Sequence, residues 1–197
     1  MIAPSLRADL SAVAACVPEG ARVLDIGCGD GQLLAWLRDT KSVEGRGVEL
    51  DPADVATAVA RGLAVVQGDA DTDLADYPDA AFDVVILSNT LQAMQRPAGV
   101  LNELVRIGAR AVVSFPNFGH WRVRVALSLS GRMPVTRSLP VAWYETANIH
   151  LCTIADFEAL AQDMRLIVES RTALAAGRPV GLWPNLRADT GVFVLRR

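Results

Sequence analysis

Along the chain, short unbroken apolar runs alternate with longer stretches in which apolar positions recur every three or four residues. The runs are ARVLDI (21–26), GRGVEL (45–50), LAVVQGD (63–69), FDVVILS (82–88) and RAVVSFP (110–116). Their length fits strands, and the near-absence of polar positions in FDVVILS fits a strand covered on both faces. Between them, GQLLAWLRD (31–39) sets Leu33, Leu34 and Leu37 on one helical face. The stretch 52–61 opens with proline at a position a first helical turn tolerates, and 100–107 again has helical spacing. SLRADLSAVAACV predicts an amphipathic helix within residues 1–20, stopped by Pro18 and Gly20. Strand–helix alternation from 22 to 116 implies right-handed crossovers and a parallel sheet with helices on both faces. After residue 150 the pattern changes. IADFEALAQDM (154–164) reads as a helix, and LIVESRT (166–172) and GVFVLRR (191–197) as two strands with no helix between them. Such strands pair antiparallel at a sheet edge. The prediction is one α/β domain over 1–197: a doubly wound, mostly parallel sheet ending in an antiparallel hairpin.

Composition narrows the function classes. The 197 residues are 51% apolar and 21% charged, a globular balance, and no apolar run reaches the roughly 18 residues of a membrane span. Net charge is −3 without a polybasic tract, which argues against nucleic acid as a partner, since phosphate neutralisation dominates such binding. The first fifteen residues lack the order of a secretory leader, and three widely spaced cysteines (Cys16, Cys28, Cys152) do not make a disulfide framework. A cytoplasmic location is expected.

Candidate chemistry begins at VLDIGCGDG (23–31). In open α/β sheets ligands sit beyond the carboxyl ends of the strands, where strand order reverses, so the turn after the first strand is the place for a site. Gly27, Gly29 and Gly31 let backbone approach a ligand where a Cβ would collide. Their G-x-G-x-G spacing is one residue shorter than the dinucleotide fingerprint, and Asp25 and Asp30 make the turn acidic. Carboxylates there repel a diphosphate and suit a cation, which excludes a nicotinamide dinucleotide.

This acidic turn resembles the first motif of class I S-adenosylmethionine-dependent methyltransferases, and the resemblance implies their Rossmann-like fold. It further implies that Asp25, Gly27, Cys28, Gly29 and Gly31 line a site for S-adenosylmethionine or S-adenosylhomocysteine. Glu49 would accept the ribose hydroxyls, and Leu50 would lie against the adenine. Asp69 and Ala70 would sit near the adenine amino group, and Ser88, with Asn89 and Thr90, beside the methionine part. VLDIGCGDGQLLAWLRD, GVELDP, FDVVILSNTLQAMQRP, VVSFPNFGHW, GRMPV and WYETANIHLCT together resemble the methionine biosynthesis protein MetW family. That resemblance implies a role in methionine biosynthesis and a protein partner, the homoserine O-acyltransferase MetX.

No catalytic base announces itself. SNTLQ (88–92) stands where amide and adenine N-methyltransferases carry an N-P-P-Y-like stretch, so those substrates are not expected. The insert 115–150, predicted to be helical, holds His120 and His150, the aromatics Phe115, Phe118, Trp121, Trp143 and Tyr144, and Arg122, Arg124, Arg132 and Arg137 against Glu145 alone. Three roles fit it. It could be a lid with His120, Tyr144 or His150 as catalytic group, an arginine and aromatic binding surface, or a packed cover over the sheet end. His120, His150 and Cys152 fall short of the four ligands a structural zinc needs, so no metal is expected. Trp183, between glycine and proline in a long late loop, is a second candidate contact. The leading expectation is an S-adenosylmethionine-binding partner or regulator of the acyltransferase. The alternative is a methyltransferase acting on a small, possibly anionic acceptor held by the arginines of the insert.

Overall fold

The computed structural model describes residues 6–136 and 140–197. Its eight strands are β1 (Arg22–Ile26), β2 (Glu44–Glu49), β3 (Ala64–Gln67), β4 (Phe82–Ser88), β5 (Gly108–Pro116), β6 (Ile167–Ala175), β7 (Arg178–Pro179) and β8 (Thr190–Arg196). They form one sheet in the order β3-β2-β1-β4-β5-β8-β6-β7. Strands β1 to β5 pair parallel, while β8 runs antiparallel to both β5 and β6. The chain winds outward from β1 to β3, then returns to the other side of β1 with β4. The crevice between β1 and β4 is thus the switch point, and the glycine turn leaves β1 there.

Among the described residues seven α-helices flank the sheet: α1 (Ala8–Ala15), α2 (Gln32–Lys41), α3 (Pro52–Ala60), α4 (Pro97–Ile107), α5 (Trp121–Ser130), α6 (Ile154–Asp163) and the single turn α7 (Pro184–Arg187). Period-2 alternation divides each central strand between two cores. Val84 and Ile86 join Val13, Leu33, Leu34 and Leu37 on one face; Val85 and Leu87 join Leu101, Leu104, Phe157 and Phe193 on the other. Rings of Phe115, Phe157 and Phe193 stack within 4.6–5.7 Å of one another and fill the second core between β5, β8 and α6. Local chemistry fixes the helix starts. Asp51 caps α3 through Ala53 N–H (2.8 Å), and Thr153 with Asp156 forms a reciprocal capping box on α6. Lys41, the one lysine, closes α2 and donates to the carbonyls of Ala14 (2.8 Å) and Val17 (2.6 Å), locking α1 to its neighbour.

The two late strands pair antiparallel at the edge of the sheet, as expected: β8 inserts between β5 and β6, and β6 with two-residue β7 forms the border. Burial explains the order, since 191–195 is buried on both faces whereas β6 begins with five exposed residues carrying Glu169 and Arg171, which suit an edge. Two expectations change: among its described residues the insert is helical only over α5. Gly131 ends that helix in the left-handed region, and among the described residues 131–153 there is no further helix or strand. Among the described residues of 1–20 the opening helix covers Ala8–Ala15. Arg137 lies outside the described residues.

Candidate ligand-binding site

The sequence builds the site from the turn outward. Gly27, Gly29 and Gly31 all have positive φ (68°, 54° and 77°), a conformation that L side chains rarely adopt. Their surroundings differ. A Cβ on Gly27 would lie 2.5 Å from Thr90 Oγ1, and one on Gly31 would strike Leu63 and Ala58 of the α3 region. A Cβ on Gly29 would meet nothing within 4 Å. Gly27 and Gly31 are therefore glycine for packing, and Gly29 is the one that faces open space.

Glu49, at the end of β2, holds the turn in place. Its Oε2 accepts from Gly29 N–H (2.8 Å), and its Oε1 from the N–H groups of Leu50 (2.8 Å) and Asp51 (3.0 Å). Leu50 beside it is 62% exposed, an apolar side chain with one face uncovered. Gly68 N–H donates to the Glu49 carbonyl (3.0 Å), which brings the end of β3 alongside. Asp69 follows and accepts from Asp71 N–H at 2.9 Å, while Ala70 packs against the core. Asp30 lines the cleft beside Asp25 and pairs with Arg61 at the end of α3 (2.8 Å).

Asp25 is the unusual group. It is 2% exposed, on β1, and its Oδ1 has no hydrogen-bond partner. Burial, with the charge of Glu49 added, pushes its carboxyl up to about 8. A cleft of about 320 Å³ lies over it, lined by Arg7, Leu10, Gly27, Cys28, Gly29 and Ser88 among others. The Cys28 thiol is pushed up to about 12, chiefly by burial, and its sulfur fills the space over Gly47. It is a packing residue, not a nucleophile. Ser88 pairs its hydroxyl with that of Ser114 (2.9 Å), and Thr90 donates to the Ser88 carbonyl (3.0 Å).

A neighbouring cavity of about 540 Å³ shares Arg7 with the first and is lined also by Asp9, Asn89, Asn148 and Asp189. Sequence reasoning missed this roof. Arg7, Asp9 and Leu10 belong to the start of α1, and Asn89, in left-handed backbone (φ 58°), donates to Asp9 at 2.9 Å. The available signal was the apolar stripe of Leu10, Val13 and Ala14, which lays α1 across the sheet rather than away from it.

The three catalytic candidates lie apart from the cleft over Asp25. His120 accepts from Arg122 N–H (3.3 Å) as the cap of α5, lines a separate cavity of about 370 Å³, and has its pKa lowered, first by burial. Tyr144 is 70% exposed and packs edge-on against Trp143. His150 is exposed and tied by its backbone N–H to the Gln92 carbonyl (2.9 Å). Among the described residues no group of three or more His, Cys, Asp or Glu is placed to hold a metal.

Relatives of the chain are known from sequence and from structure. A bifunctional methionine biosynthesis protein MetXA/MetW of Rhodopirellula baltica is 32% identical over 206 residues, covering 98% of this chain and 33% of that protein. The chain spans about a third of the length of the curated relatives it matches. Among solved structures, an S-adenosylmethionine-dependent methyltransferase of Mesorhizobium loti superposes with a TM-score of 0.71 at 19% identity, over 96% of this chain and 98% of that one. The [4+2]-cyclase SpnF does so at 0.67 and 16%, over 95% and 80%. The fold is that of class I methyltransferases, and a cyclase among its bearers means that the fold leaves the reaction open. The profile described as methionine biosynthesis protein MetW matches residues 7–195, and the chain belongs to that family.

Proposed function

We propose that the chain binds S-adenosylmethionine or S-adenosylhomocysteine at the glycine turn and serves methionine biosynthesis, in the cytoplasm, as partner and regulatory subunit of homoserine O-acyltransferase MetX. The observation that carries this reading is a cleft over the glycine turn with a buried, unpartnered carboxyl at its floor. Its lining includes the open Gly29, and the Cys28 thiol there is held far from ionising. Asp25 suits a cationic end of the ligand. Glu49, already oriented by three backbone N–H groups, suits the ribose hydroxyls, with Leu50 against the adenine, Asp69 and Ala70 at its amino group, and Ser88 toward the methionine part. Bound S-adenosylmethionine supplies a sulfonium-activated methyl group. As a product made from methionine it is also a sensible feedback signal for the pathway's entry step. The relative from Rhodopirellula baltica, whose name joins MetXA and MetW, supports the pairing.

Homoserine acylation by MetX of the same organism, measured with and without equimolar protein across S-adenosylmethionine concentrations, tests this. The expected result is acylation that depends on the mixture and shifts with ligand. A MetX indifferent to this protein overturns the subunit reading.

A second reading rests on the larger cavity beside the cleft, which has room for a small acceptor. The guanidinium placed there is Arg7; of the insert arginines, Arg122 lines a different cavity. If methyl transfer occurs, Arg7→Ala lowers turnover about tenfold or more while Arg122→Ala leaves it unchanged. Equal losses in a methyl-transfer assay would remove Arg7 from that role.

A further inference from the structure

We infer that α5, residues 131–136 and 140–151 and the tip at 182–183 form one preformed docking face for an acidic-rimmed partner chain, the acyltransferase; this rests on the subunit reading above. More than half of the large apolar side chains exposed among the described residues fall between 121 and 151. Helix α5 buries Val123 alone, while Leu129 is 84% exposed. Trp143, Tyr144 and Trp183 are each more than two-thirds exposed. With Trp121, these rings expose on the order of 500 Å², against about 800 Å² per partner in a standard interface. Met133, Pro134, Val141, Trp143, Ile149 and Leu151 converge on one cavity of about 390 Å³, and exposed apolar side chains gathered in this way mark a contact site.

The face is held, not loose. Asn117, 2% exposed, donates to the carbonyls of Asn185 (3.1 Å) and Ala188 (2.7 Å) and accepts from Gly119 N–H (2.9 Å) and Ile154 N–H (3.2 Å). One amide thus joins the start of the insert, its exit and the turn beneath Trp183. The Gln92 carbonyl accepts from Ile149 and His150 N–H, fixing the far end. Preformed surfaces lose little entropy on binding.

Charge selects the occupant. Arg122, Arg124 and Arg132 have no carboxylate within salt-bridge distance among the described residues, in a chain of net charge −3. A second copy meeting this face through a two-fold axis would set guanidinium against guanidinium. A different chain with an acidic rim fits, and the relative named MetXA/MetW carries the two names in one polypeptide. Aromatic and arginine anchors are the usual carriers of such binding.

The test uses full-length protein and purified MetX. Leu129→Ser with Trp143→Ser, and separately Arg132→Glu, should weaken the complex about 30-fold or more by calorimetry. S-adenosylhomocysteine affinity should stay within about twofold of wild type, since neither site touches the cleft, and this also reports an intact fold. Unchanged MetX affinity in both variants overturns the proposal. So does a wild-type homodimer that the same substitutions dissolve while MetX fails to bind. If wild type and variants alike show no MetX binding, the subunit reading falls, and the docking assignment falls with it.

Discussion

Gly29→Val abolishes binding of S-adenosylmethionine and S-adenosylhomocysteine while leaving a folded protein. The three turn glycines look equivalent by sequence, yet their surroundings separate them. A side chain on Gly27 would collide with Thr90 and one on Gly31 with Leu63, so those substitutions report on folding. Gly29 has open space where its Cβ would go, and its N–H is fixed by the Glu49 carboxylate at 2.8 Å. A valine there must hold φ near 54°, a strain of roughly 1–3 kcal/mol, and its two methyls then occupy the approach to the turn. The fold, with two cores on either side of the sheet, should absorb that cost. The ligand has no way around the methyls. Thermal melts with ligand decide the matter. Saturating S-adenosylhomocysteine at 100 times its Kd stabilises the wild type by about 2.7 kcal/mol, and the variant should show no shift. A variant that binds within about tenfold of wild type, about 1.4 kcal/mol, would move the site away from this turn.

How far the sequence reaches depends on whether a feature is local. Strands β1, β4 and β5 were legible because their apolar runs are buried on both faces, and burial writes itself into composition; β2 and the mostly exposed edge strand β3 were legible from their alternation with helices. The position of β8 was not legible in the same way. Two antiparallel strands can be ordered either way at an edge, and the choice turns on β6 carrying exposed Glu169 and Arg171 while 191–195 is buried. The glycine turn and Glu49 were found because motif residues are neighbours in sequence or lie at consecutive strand ends. The roof was not, because Arg7 and Asp9 reach the cleft only through the packing of α1, tied by Lys41 at one end and by Asn89 at the other. The insert read as helical from composition. Its structure follows instead from Gly131 and from two buried amides, Gln92 and Asn117, whose partners are up to 71 residues away.

Asp25 predicts a pH dependence whose sign differs for folding and for ligand binding. Its carboxyl is raised to about 8 in the folded, unliganded chain, chiefly by burial and secondarily by the charge of Glu49. A carboxyl raised on folding contributes stability that is whole below its unfolded pKa and is lost as pH climbs through the folded value. Between pH 4 and 7 that loss is on the order of 4 kcal/mol. Asp25→Asn removes the titration, at a cost of about 1–3 kcal/mol for a buried amide short of partners. The variant's Tm should therefore lie several degrees above wild type at pH 7.5, with the gap closing toward pH 4.5. Binding runs the other way. A cationic ligand favours the ionised carboxylate and expels its proton, so wild-type affinity for S-adenosylmethionine rises about tenfold per unit from pH 6 to 7.5. That window stays below the ligand's own α-amino titration, near 7.7–8.0. Cys28, held up to about 12, stays protonated throughout it. Calorimetry at pH 7 in two buffers of different ionisation enthalpy should find close to one proton released per ligand in the wild type and none in Asp25→Asn. A flat wild-type profile would mean that the buried carboxylate does not meet the ligand's charge, and that the cleft holds its occupant by the turn and Glu49 alone.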